Sequence, residues 1–216
     1  MADAIQLMEA VKTGNAAEVE RLLHEAPELA QARAPQGISI AQFAAYVGQA
    51  PLGLRIAKGR PRDVFEAAAL GDLDALAQRL SEETQLTRAV SPDGFSALGL
   101  ACFFGHRALA EKLLAAGADP KAASQNAMRV APLHSAVSRG DEAIARLLLD
   151  RGADANARQM QGVATLHQAA ANGNAALIQL LREHGADPEA RTDDGKSPAD
   201  FARERGHPEV VPLLGS

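Results

Sequence analysis

The sequence predicts an all-α solenoid of about seven helix-turn-helix units joined by short β-turn fingers. Three observations carry that prediction. Hydrophobic residues make up 47% of the 216 but aromatic residues only 3%, so the apolar volume is mostly Ala, Leu and Val. Ala and Leu are strong helix formers, whereas aromatic and β-branched side chains favour sheets. Second, short motifs return at a constant offset of 33 residues: Ala131-Pro132-Leu133-His134-Ser135-Ala136 against Ala164-Thr165-Leu166-His167-Gln168-Ala169, and Gly152-Ala153-Asp154 against Gly185-Ala186-Asp187. Third, a glycine column (Gly14, Gly48, Gly71, Gly105, Gly140, Gly173, Gly206) is preceded four residues earlier by an alanine column (Ala10, Ala44, Ala67, Ala101, Ala136, Ala169, Ala202).

Each column has a physical purpose. A glycine closing one helix adopts the left-handed conformation at no Cβ cost, and the chain reverses into a second helix. An alanine one turn earlier lets neighbouring helices come close. The second helix carries the pairs Leu22-Leu23, Leu113-Leu114, Leu148-Leu149 and Leu180-Leu181, and a further glycine follows it at Gly117, Gly152 or Gly185. Asp93-Gly94 and Asp194-Gly195 then mark tight turns. The frame divides a single array into units at about 1–33, 34–60, 61–91, 92–124, 125–157, 158–190 and 191–216, the first and last acting as caps. The first unit sets Lys12, Glu18, Glu20 and Arg21 between its apolar positions, the polar outer surface a cap requires.

Two spacings break the rhythm. Only 23 residues separate Gly48 from Gly71, so the link Lys58-Gly59-Arg60-Pro61-Arg62 has no room for a finger, and a missing hairpin with a bend is expected there. Gly105 and Gly140 lie 35 apart, which lengthens the finger containing Asn126-Ala127-Met128-Arg129 by about two residues and should make it project.

With its period, columns and His134 and His167 in Leu-His-x-Ala settings, the sequence resembles the ankyrin-repeat family over nearly its whole length. The units at about 92–124, 125–157 and 158–190 match best, and Ser197-Pro198-Ala199-Asp200 opens a shortened last one. The family histidine is replaced by Met8, Gln42, Phe65, Gly99 and Asp200 in the other units. The resemblance implies that His134 and His167 hold the fingers onto the helices. It also implies that the two residues before each column glycine, and those around the finger tips, face a groove.

Those positions give a groove that is apolar in the middle and polar at its ends. The expected contact residues are Ile38, Tyr46, Val47, Leu70, Phe95, Phe103, Phe104, Met128, Val130, Arg139, Met160, Asn172 and Arg205. Clustered aromatic, Met and Arg side chains suit an interface centre. The expected ligand is an apolar helix or extended segment of another protein, with Arg139 and Arg205 reading acidic groups at its far end. The expected function is therefore a non-enzymatic protein-protein interaction module, or alternatively a regulatory or chaperone-like subunit of a co-expressed enzyme.

Other chemistries find little footing. A formal charge of -5 repels a phosphate backbone, so no nucleic-acid partner is expected. The lone Cys102 allows neither an intrachain disulfide nor a thiolate zinc cage and fits a reducing compartment. No signal peptide or run of about 18 apolar residues is visible, so a soluble cytoplasmic monomer without membrane contact is expected. The six histidines sit in structural or solvated positions with no carboxylate pattern that would close a metal site. Cys102 and His106 are four apart, and a thiolate-imidazole hydrolase is the remaining catalytic possibility, but Cys102 falls in a packing column. Gly48-Gln49-Ala50-Pro51-Leu52-Gly53-Leu54-Arg55 has the glycine spacing of a phosphate loop without its lysine and hydroxyl. No cofactor is expected.

Overall fold

A computed structural model describes residues 3–215; Met1, Ala2 and Ser216, with what the sequence suggests of them, lie outside the described residues. The helices alternate between two rows. The inner row is α1 (Ala4–Lys12), α3 (Ile40–Tyr46), α5 (Val64–Leu70), α7 (Ala97–Phe104), α9 (Pro132–Arg139), α11 (Thr165–Ala171) and α13 (Pro198–Glu204). The outer row is α2 (Ala16–Glu25), α4 (Ala50–Ile56), α6 (Leu73–Glu82), α8 (Arg107–Ala115), α10 (Glu142–Asp150), α12 (Ala175–Glu183) and a 3-10 segment, Pro208–Leu214. Each inner helix packs on the next inner helix and on its own outer partner. This is the all-α solenoid that the sequence predicts.

Capping sets the boundaries. Asp63 Oδ1 accepts the amides of Phe65 and Glu66 at 2.9 and 2.8 Å, and Glu66 returns a bond to the Asp63 amide, so α5 starts at Val64. Asn15, Ser39, Asp72, Ser96, Asp141, Asn174 and Ser197 cap other helices through their side chains. Gly71 and Gly105 end α5 and α7 in the left-handed region with φ of 77° and 78°.

Fingers precede α3, α7 and α11, each closed by an antiparallel bridge: Arg33 with Ser39, Val90 with Ser96, and Arg158 with Ala164. In the finger before α9 the Ser124 amide donates to Val130 O at 2.9 Å, spanning six residues where Ser91 to Phe95 and Gln159 to Val163 span four. The two-residue insertion is thus visible, with Arg129 at a φ of 52°. This finger is nevertheless tied into its neighbours. Gln125 N donates to Gly94 O at 2.7 Å, Met160 N to Met128 O at 2.9 Å, and Asp193 N to Gln161 O at 3.0 Å, which strings the finger tips into one ribbon.

Before α5 no bridge is formed, as the short spacing predicts. Arg60 occupies the junction instead. Its guanidinium meets both carboxylate oxygens of Glu66 at 2.8 and 2.6 Å and donates to Ala30 O at 3.0 Å. Burial alone would raise the Glu66 carboxyl; the Arg60 bonds, with those from Ser39 and the Asp63 amide, outweigh it and leave the group below its ordinary value.

The interior consists of two apolar clusters that meet at α5. Leu7, Leu22, Ile40 and Ile56 belong to the first with Ala69 and Leu70. Leu98, Leu113, Ile144 and Leu148 belong to the second with Val64, Ala67 and Ala68. Burying each such large side chain contributes about 1.5–3 kcal/mol. Gly53, inside α4, makes the first cluster possible. A Cβ there would lie 2.5 Å from both Ala41 O and Leu70 Cδ2, so only glycine admits this approach of α4 to α3 and α5.

Candidate functional site

The expected contact residues fall into separate groups, an aromatic one at the ends of α3 and α7 and a methionine pair on the finger tips, with a division of labour that the repeat frame does not reveal. Two columns back from each glycine, Tyr46 and Phe103 face one another with ring centroids 5.8 Å apart. Phe104 packs edge-on against both, at 5.2 Å from Tyr46 and 5.0 Å from Phe103, and stacks on His106 at 6.3 Å. Phe103 remains 41% exposed, while Tyr46 and Phe104 are half-buried. The Tyr46 hydroxyl donates to Asp93 Oδ2 at 2.6 Å; burial and then that bond push the phenol above its ordinary value, so it stays a neutral donor.

Along the fingers, Met128 and Met160 stand on adjacent tips joined by their backbones and are 45% and 50% exposed. With Phe103 they form three of the six exposed large apolar side chains among the described residues. Phe95 and Val130 are half-buried at the finger bases, and Phe95 packs on the second cluster. Val47 is half-buried against the first cluster.

Two expected contact residues are not surface groups. Ile38 is 4% exposed, because with no finger before α5 its own finger lies directly on the finger 90–96, where a Cβ on Gly37 would be 3.1 Å from Pro92 Cβ. Leu70 is 5% exposed, its Cδ2 filling the notch left by Gly53.

The column immediately before the glycines works between units. Arg139 Nη1 donates to Phe103 O at 3.2 Å, and its guanidinium lies over Gly105. Asn172 Nδ2 lies 3.4 Å from both Val137 O and Ser138 O, one unit further on. Each side chain satisfies carbonyls at the C-terminus of the preceding inner helix, where a cation also meets the negative end of the helix dipole. Arg205, on the last unit, is exposed and lines a shallow cleft with Gln161, Val163, Lys196, Phe201 and Glu204.

The histidines bond between units. His134 Nε2 is 3.3 Å from Val163 O and His167 Nε2 is 3.0 Å from Lys196 O, each reaching the finger of the following unit. His106 turns the other way, with Nε2 3.2 Å from Ala69 O. Burial lowers all three below the ordinary imidazole value. Cys102 is fully buried, and burial followed by the charge of Asp141 pushes its thiol up, so it offers no thiolate. Among the described residues no group of three or more His, Cys, Asp or Glu could hold a metal ion, and no helix is long and apolar enough to cross a membrane.

Sequence reasoning missed Asp93 as the acceptor for Tyr46, Arg60 as the partner of Glu66, and Gly53 as a packing residue. Asp93 and Gly53 were visible only as parts of a turn signal and of a glycine spacing.

A fold of stacked helix pairs, in which His134 and His167 tie their units to the next finger, defines a repeat protein of the helix-finger class. The family models agree: the one described as ankyrin repeats (3 copies) matches residues 64–159, and the one described as ankyrin repeats (many copies) matches residues 166–214. The chain belongs to the ankyrin-repeat family, whose members are generally protein-protein interaction modules. No curated protein matches the chain.

Proposed function

We propose that this chain is a non-enzymatic binding module that holds an apolar helix or extended segment of another protein along Phe103, Met128 and Met160. The observation that supports this reading is that three of the six exposed large apolar side chains among the described residues stand on consecutive units, at the end of α7 and on the two finger tips that follow. Exposed apolar side chains on consecutive units favour a partner of matching shape, and a rigid helical scaffold presents them without an ordering cost. Arg139 borders Phe103 and keeps exposed guanidinium surface, which suits an acidic group on the ligand. The net charge of -5 argues for a protein rather than a nucleic acid. The module is read as a cytoplasmic monomer.

A photo-crosslinking amino acid placed at Met128, Met160 or, as a control, the exposed outer-row Arg146 tests the face directly. Irradiation in native lysate should give discrete adducts at Met128 and Met160 and none at Arg146. Adducts only at Arg146 would move the working face to the outer row.

A further inference from the structure

The helix row and the finger row fall out of step at α5. Helices α3, α5 and α7 stack in turn, but the finger 33–39 meets the finger 90–96 directly, because α5 has none. The interior divides at the same place, since α5 gives some residues to one apolar cluster and some to the other. The outer row is also weakest there, with α4 packing on α5 rather than making a full contact with α6. Leu70 and Phe104 pack across this seam and Arg60 joins Ala30 O to Glu66, while one side chain spans the whole of it from α3 to α7. Tyr46, from α3, lies on Phe103 and Phe104 of α7 and donates to Asp93 at 2.6 Å, while fully buried Ala69 holds the same column between them. Asp93 is itself bonded by the Ser91 hydroxyl.

We propose that the array is two cooperative blocks, α1–α4 and α6–α13, that separate and close at α5, with the Tyr46–Asp93 bond as the latch. In a uniform array every interface carries a similar share of the coupling, so the ends fray gradually. Here one interface lacks its finger and most of its outer-row contact, and it opens at a lower free energy than the units on either side. Closed, Tyr46 backs the exposed ring of Phe103; open, Phe104, Ala69 and Leu70 lose their cover. A ligand seated on Phe103 then favours the closed array, and closure favours the ligand by the same factor. That last consequence rests on the function proposed above; the seam and its latch do not.

Hydrogen-deuterium exchange of the full chain without any ligand tests the seam. Amides of α1–α4 should exchange as a group, faster than those of α9–α12. Tyr46→Phe keeps the rings packed and should raise exchange across α1–α4 by about tenfold, as expected for losing a bond to a charged acceptor, and leave α9–α12 unchanged. Asp93→Asn should act in the same direction, and the double variant should exchange less than the product of the two single effects predicts. One common rate along the whole chain, an equal rise in α9–α12, or fully independent effects in the double variant would overturn the proposal. Loss of the Phe103 contact face would show in crosslinking and leave this exchange pattern intact.

Discussion

His167 Nε2 donates to the carbonyl oxygen of Lys196 at 3.0 Å, while His167 Nδ1 accepts the Ala164 amide at 3.2 Å. Both bonds exist only in the neutral imidazole with its proton on Nε2, because a second ring proton would point at the Ala164 N–H. The unit's own helix start and the next unit's finger therefore hang on one protonation state.

Stability should accordingly fall with acid. Burial holds His106, His134 and His167 below their ordinary value of 6.5, so the unfolded chain takes up protons first as the pH drops. Their contribution is complete above that value and is lost as the pH falls below it. The Tm should be lower at pH 5.5 than at pH 7.5, and His167→Gln, which keeps a donor for Lys196 O, should flatten that difference. Thermal melts by circular dichroism at the two pH values check this.

The Arg60–Glu66 pair fills the space of the absent finger, with side-chain exposures of 18% and 2%. Removing one partner strands a buried charge, which costs about 3–5 kcal/mol in comparable sites. Glu66→Gln and Arg60→Ala should each destabilise by about that amount in urea titrations. The double variant should lose less than the two single losses combined.

Gly53→Ala sets helix propensity against space. Propensity alone favours alanine by about 1 kcal/mol. The new Cβ would meet Ala41 O and Leu70 Cδ2 at 2.5 Å, and overpacking of this kind costs about 1–3 kcal/mol. Crowding from backbone on one side should win, so the variant should melt a few degrees lower. A higher Tm would show that α4 can move away from α3.

Much of this was legible because a repeat writes its packing into a period. The column glycines, the lost finger at 58–62 and the lengthened finger at 124–130 follow from local chemistry and spacing. Positions set by the skipped finger were not legible. Ile38 and Leu70 occupy surface columns in the frame, yet both are buried, one through the contact of non-consecutive fingers and the other through a notch in α4. Tyr46 and Asp93 lie 47 residues apart, and nothing in a 33-residue period pairs them. For the same reason Phe103 and Phe104, adjacent in sequence, part company: one is an exposed ring, the other a wedge between the two apolar clusters.

That separation gives the most direct measurement of the functional account. Phe103→Glu, compared with wild type for capture of the crosslinked partner and for helical circular dichroism, should abolish capture while the spectrum and melt stay close to wild type. Phe104→Glu should instead lower the melt. Undiminished capture by a folded Phe103→Glu protein would contradict the assignment of Phe103 to the binding face.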